Sequence, residues 1–179
     1  MIDVFASGQT VDIPQVLKNR DARVQEQQVL FDQMKEHQSL INAKLNIPGP
    51  VKNNYTLLKV FDAGLNQFLT DQQVISKVIW DLATGPEAFI IVDEIPENEK
   101  KIASQFEDQT EFGRLFDIDV LTYKNDFLHP LSRSDFGQPA RKCLICDQPA
   151  KVCARSRTHS VNEMQDYINK LINNHLELL

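Results

Sequence analysis

Glu87-Ala88-Phe89-Ile90-Ile91-Val92-Asp93 contains the longest unbroken apolar run of this 179-residue chain, from Ala88 to Val92. Such a run is far shorter than the ~20 residues that cross a bilayer, and it reads as a strand covered on both faces. Working outward, Pro96 to Gln109 reads as a helix opened by acidic residues, and Arg114 to Tyr123 as a further strand. Upstream, Thr84-Gly85-Pro86 is a turn and Lys77 to Ala83 a strand. Ala63 to Ser76 is a helix with Leu65, Phe68, Leu69 and Ile75 inward, and Tyr55 to Phe61 a first strand. The order strand, helix, strand, strand, helix, strand predicts an α+β protein of the ferredoxin-like, split βαβ kind. Its antiparallel sheet would carry both helices on one face and leave the other free for a site.

The flanks complete a single domain spanning 1–179, divided into 1–54, the 55–123 core and 124–179. Apolar residues at Leu17, Val24, Phe31, Met34, Ile41 and Leu45 are spaced by three, four or seven, so residues 14–45 read as one long helix begun by Asp12 and Pro14. Asn46-Ile47-Pro48-Gly49-Pro50-Val51-Lys52-Asn53-Asn54 ends it in a stiff loop. Residues 124–160 lack periodicity, and Val161 to Leu179 returns to a helical pattern through Met164, Tyr167, Ile168, Leu171 and Ile172.

A net charge of −6 argues against attraction to nucleic acid over the whole surface. The N-terminus builds no apolar signal segment, so the expectation is a cytoplasmic protein with no membrane partner. Three cysteines cannot all pair, which turns attention to metal ligation or catalysis.

Alternation through Gly113-Arg114-Leu115-Phe116-Asp117-Ile118-Asp119-Val120 sends Phe116, Ile118 and Val120 to one face and Leu115, Asp117 and Asp119 to the other. Two adjacent carboxylates on one face either meet water or hold a hard cation such as Mg²⁺. Cys143, Cys146, Cys153 and His159 follow the pattern C-x2-C-x6-C-x5-H. These are either the ligands of a structural Zn²⁺ or small hydrophobes of the core. Residues 87–119 hold ten acids and three bases, whereas Arg133, Arg141, Lys142, Lys151, Arg155 and Arg157 face only Asp135 and Asp147 between 133 and 157. Carboxylates beside an arginine cluster suit a polyphosphate ester, whose charge calls for both metal and guanidinium neutralisation. Arg20 and Arg23, near the apolar stripe of the first helix, either form salt bridges or meet an anion.

Arg20, Arg23, the Asn46 to Asn53 loop, the Gly113 to Val120 strand and the segment from Arg141 through Cys153-Ala154-Arg155 to His159, taken in order, resemble the citrate lyase holo-acyl-carrier-protein synthases. These are the phosphoribosyl-dephospho-CoA transferases that modify apo-citrate lyase. The resemblance implies transfer of the prosthetic group from 2′-(5″-triphosphoribosyl)-3′-dephospho-CoA to a serine of the acyl carrier subunit, with loss of pyrophosphate. It implies Mg²⁺ on Asp117 and Asp119, with Arg114 beside them. Arg20, Arg23, Lys52, Arg141, Arg155 and Arg157 become the substrate-binding candidates. Two other readings use the same residues: a non-enzymatic zinc-knuckle module that binds a protein, and a metal-dependent phosphohydrolase in which water attacks.

Overall fold

The computed structural model describes residues 2–124 and 127–179, and shows an α+β protein built on one antiparallel sheet. Helix α1 (Ile13–Phe31) precedes β1 (Ser39–Leu45), α2 (Tyr55–Leu69), β2 (Val74–Leu82), β3 (Gly85–Val92) and α3 (Pro96–Gln109). A 3₁₀ turn at Phe112–Leu115 leads into β4 (Phe116–Lys124), then β5 (Phe127–Pro130), α4 (Ala150–Ser156) and α5 (Val161–Asn174). The strands lie in the order β2-β3-β1-β4-β5.

The expected helix over 14–45 is really a helix, a break and the central strand. Asp12 caps α1 as foreseen, accepting a hydrogen bond from the Gln15 backbone, but the helix ends at Phe31. The seven-residue step from Met34 to Ile41 leaps over the turn that follows. Leu40 packs on one face of the sheet, and Ile41 and Ala43 on the other, as a strand's alternation demands. Tyr55 to Phe61, in turn, is the start of α2 rather than a strand. Asn54 caps it through the Leu57 backbone N–H, and Leu57, Val60, Phe61, Gly64, Leu65 and Phe68 fall at helical spacing on its buried side. The strand-helix-strand-strand-helix-strand succession therefore begins at 39, not at 55. The expected bounds of α3 coincide with those observed.

Helices α2 and α3 and the inner face of α5 cover one side of the sheet. Phe61, Phe106, Phe112, Phe116, Ile118, Val120, Ile168 and Ile172 pack there in one cluster. Gly64 admits the Phe116 ring, which stacks on Phe61 with centroids 5.7 Å apart. Leu115 joins this cluster instead of standing beside the aspartates, because the 3₁₀ turn precedes the strand and breaks its alternation.

On the other side lies α1, oriented against its hydropathy. Leu17 and Val24 face solvent, while Asn19, Gln27 and Leu30 turn inward. The polar row of β1 and β3 beneath explains this: Asn19 donates to Glu87 at 2.6 Å and Gln27 to Asn42 at 3.3 Å. Buried amides need such partners, so the sheet's polar groups decide which face of α1 goes in.

Where β5 does not reach, the outer edge of β4 is closed by side chains. Glu107 accepts from the Ile118 N–H at 2.8 Å, and Arg133 grips Glu107 and Asp108, each at 2.6 Å. Charged cover of this kind blocks pairing with a foreign strand.

Glu99 on α3 is fully buried, and the side chain of Gln72 beside it relieves that burial only in part. Burial, aided by the charge of Glu94, pushes its pKa up to about 7. The folded state therefore holds this proton more tightly than the unfolded chain, and stability falls as pH rises from about 4.5 to about 7. Glu99→Gln, whose amide can donate to Gln72, is expected to remove that slope and to add ~2–3 kcal/mol at pH 8. Urea unfolding at pH 5 and pH 8 checks this; equal wild-type stability at both would contradict it.

Candidate active site and Cys3His cluster

Cross-strand register builds the first half of the site. Lys44 on β1 stands opposite Glu87 on β3 and Asp117 on β4, and Asn42 stands opposite Asp119. Glu87, Lys44 and Asp117 thus form a row across three strands, with Asp119 two residues along the same face. The Lys44 ammonium lies 2.8 Å from Asp117 Oδ2 and 3.1 Å from Asp119 Oδ2. Burial disfavours its charge, but Asp119 and Asp117 outweigh burial and raise its pKa. Burial would likewise raise the Asp117 pKa, yet Lys44, then Arg141 and Lys100, hold it below the ordinary value. Both carboxylates remain open to solvent, 43% and 33% exposed.

Arg23 closes the row from above. Its Nε and Nη2 meet Glu87 at 2.6 and 2.7 Å in a bidentate pair, which resolves the earlier choice for this residue as a salt bridge. Three carboxylates (Glu87, Asp117, Asp119) thus share two cations (Lys44, Arg23). In direct contact the face has one more carboxylate than cations, with Arg141 and Lys100 acting on Asp117 from farther away.

The second half is the Cys/His segment. Cys143 N–H donates to Gln148 C=O at 2.7 Å and Ala150 N–H to Arg141 C=O at 2.8 Å, which folds Leu144 to Asp147 into a tight turn. That turn presents Cys143 and Cys146, α4 presents Cys153, and the chain just after α4 presents His159. Their ligand atoms all lie within 4.8 Å of one another. Cys146 Sγ is 3.5 Å from Cys153 Sγ and 3.3 Å from His159 Nε2. A tetrahedron with metal bonds of ~2.3 Å to sulfur and ~2.0 Å to nitrogen has edges of roughly 3.5 to 3.8 Å, so the two edges that meet at Cys146 are close to those of a four-ligand metal site. The cysteines are free thiols, well beyond the ~2.05 Å of a disulfide.

Two arginines join the halves. Arg114 donates to the carbonyls of Lys142 and Cys143 at 3.2 and 2.9 Å, and Arg141 donates back to the Arg114 carbonyl at 2.6 Å. Arg114, three residues before Asp117, thus holds the cysteine turn against the start of β4. Arg141 also approaches Glu107 at 3.7 Å, and its charge acts on Asp117. The ammonium of Lys52 donates to the Ile47 carbonyl and closes its own loop, with burial lowering its pKa. Arg20 and Arg155 are exposed.

Sequence reasoning missed Lys44 and Glu87. The signal for Lys44 was present: once residues 39–45 are read as a strand, Asn42 and Lys44 alternate with Ile41 and Ala43. Among the described residues no helix is long and apolar enough to cross a membrane.

A family model described as apo-citrate lyase phosphoribosyl-dephospho-CoA transferase matches residues 11–175. A probable apo-citrate lyase phosphoribosyl-dephospho-CoA transferase of Streptococcus pyogenes serotype M3 is 36% identical over 174 residues, covering 95% of this chain and 90% of its own. The apo-citrate lyase phosphoribosyl-dephospho-CoA transferase of Escherichia coli O1:K1 is 34% identical over 180 residues, covering 97% and 94%. Protein CitXG of Leuconostoc mesenteroides subsp. cremoris is 34% identical over 177 residues, which are 97% of this chain but 37% of that longer protein. With the match running from α1 through the aspartate pair and the Cys/His segment to α5, the chain belongs to the apo-citrate lyase phosphoribosyl-dephospho-CoA transferase family.

Proposed function

We propose that this protein transfers phosphoribosyl-dephospho-CoA from its triphosphate precursor to a serine on the acyl carrier subunit of citrate lyase. The observation that carries the reading is the near full-length match to transferases of that name, in both chains of each pair. In the reaction the serine oxygen attacks the phosphorus nearest the ribose. A phosphodiester bond forms, the bond to the next phosphate breaks, and pyrophosphate leaves with the electron pair.

Several residues of this chain have roles in that chemistry. Asp117 and Asp119 are part exposed, and as hard oxygen donors they would hold Mg²⁺, sharing their charge with Lys44. When bound there, Mg²⁺ would supply neutralisation of charge on the attacked phosphoryl group. Asp119, the carboxylate farther from the Lys44 ammonium, takes the serine proton. Cys143, Cys146, Cys153 and His159 would hold Zn²⁺ as a structural ion, four protein ligands leaving no position for substrate. Reaction in the cytoplasm, where citrate lyase and the precursor would meet it, completes the reading.

The test is to incubate the protein with precursor, Mg²⁺ and apo-citrate lyase and to weigh the carrier subunit. A mass gain equal to the prosthetic group, with matching pyrophosphate release, is expected. Hydrolysis of precursor without a modified carrier would convert the reading to a phosphohydrolase. Carrier binding without precursor binding would make it an adaptor.

A further inference from the structure

A cavity of about 260 Å³ opens directly onto the Cys/His cluster, with Cys143, Cys153 and His159 in its wall alongside Arg114, Arg141, Lys142 and Arg157. No carboxylate lines it among the described residues, in a chain of net charge −6. The neighbouring cavity of about 500 Å³ differs in this respect, because Asp108 and Asp147 form part of its wall. The smaller cavity lies below the ~300–1,000 Å³ of sites that enclose a whole drug-sized ligand. It suits one end of a long substrate, and its charge selects an anionic end.

The four cations are not equally free. Arg114 is held by two carbonyls and lies 3.9 Å from Asp108. Arg141 bonds the Arg114 carbonyl and lies 3.7 Å from Glu107, while Lys142 pairs with Asp147 at 3.0 Å in the open. Arg157 is exposed and carries no side-chain ion pair or hydrogen bond in the described structure. Its backbone is unusual as well. Arg157 caps α4 at φ 49°, the one non-glycine residue with positive φ among those described. Glycine takes that capping position without steric cost, so a long, charged side chain there is held against the local preference. Strained positions of this kind concentrate where a side chain has work to do. The strain is sustained between Cys153, whose carbonyl accepts from Arg157 and Thr158, and His159.

We infer that this cavity seats the terminal two phosphates of the precursor and then the leaving pyrophosphate, with Arg157 as its free anion anchor. The inference rests on the transferase reading and deepens it. Arg141 supplies the link, since it lines the cavity and donates to the carbonyl of Arg114, three residues before Asp117. The attacked phosphorus then lies toward the aspartate pair, and the two departing phosphates lie among the guanidinium groups. Arg155, two residues before the anchor, is not among the cavity's lining residues.

Calorimetry with inorganic pyrophosphate on the full, metal-replete chain tests the cavity without requiring catalysis. Arg157→Gly relieves the backbone and removes the guanidinium. It is expected to melt no lower than wild type, to bind pyrophosphate at least tenfold more weakly, the value of one charge-assisted contact, and to raise KM for precursor. Lys101→Gln on α3 removes the same charge elsewhere and is expected to change pyrophosphate binding less than twofold. Equal binding by wild type and Arg157→Gly, or equal weakening by Lys101→Gln, overturns the assignment. So does a wild-type enzyme that modifies the carrier yet ignores millimolar pyrophosphate; the transferase reading then stands without the cavity. Pyrophosphate binding that depends on Arg157, in a protein that never modifies carrier, upholds the cavity and rejects the transferase.

Discussion

Asp117→Asn and Asp119→Asn are each expected to lower transfer by at least ~100-fold while leaving the melting temperature within a few degrees of wild type. A hundredfold loss corresponds to ~2.7 kcal/mol of transition-state stabilisation, in the range expected when a charged clamp on a phosphoryl group loses one member. Stability should hold because both carboxylates are part exposed, so their pairing with Lys44 contributes at most ~1 kcal/mol. The pH dependence follows from the sign of the Asp117 shift. A carboxylate whose folded pKa is depressed stabilises the protein above its unfolded pKa and loses that contribution only as pH falls through the folded value. Between pH 6 and pH 8 Asp117 stays ionised, and its loss by mutation should be equally damaging across that range. Ile118, between the two aspartates, is 1% exposed and packed beneath the helices. Ile118→Asn is therefore expected to unfold the protein, by the ~2–5 kcal/mol of a lost core side chain plus the burial of an amide. Initial-rate assays and thermal melts on the three variants check the pattern. Near-normal turnover in both aspartate variants would remove this pair from the chemistry.

The contrast between Ile118 and its neighbours was legible in the sequence, and the reason is local. β4 has a core side and a polar side over residues 116–120, so its alternation is written in residue type. β1 has no such simplicity. It is the middle strand, Ser39 to Ala43 are all buried, and its apolar residues also fit a helix extended from Met34. Only the pairing of β1 with both β3 and β4 makes it a strand, and pairing is a property of distant segments. Lys44 was lost with it. The orientation of α1 was unreadable for a related reason. Its stripe of Leu17 and Val24 is the more apolar, but the surface it meets carries Glu87 and Asn42, so amides and Arg23 go inward. The convergence of three thiols and an imidazole, in contrast, was foreshadowed by the Cys/His spacing, because all four residues lie within one short segment. What spacing could not show is that Arg114 grips this turn through the Lys142 and Cys143 carbonyls.

Cys146→Ser is expected to abolish binding of one zinc equivalent and to release residues 141–159 while the sheet stays folded. Cys146 is the sensitive position because its sulfur contacts both Cys153 and His159. Apart from the Arg114 and Arg141 carbonyl bonds and the packing of Leu144 on the main core, the segment has little else to order it. α4 is seven residues long, too short to persist alone, and within 141–159 only Cys143 and Cys153 are buried. Binding free energy at such a site is folding free energy for the segment it closes. The main core, built from the sheet with α2, α3 and α5, includes none of the four ligands. Hydrogen exchange should therefore rise sharply over 141–159 and stay slow in β1, β3 and β4. Transfer should fall with it, since Arg141 and Arg157 lie on the released segment and their guanidinium groups would no longer hold a common geometry. Metal analysis of carefully reduced wild type that finds no zinc, together with unchanged exchange in the variant, would return the thiols to the role of packing groups. The arginines would then owe their positions to the Arg114 and Arg141 carbonyl contacts alone.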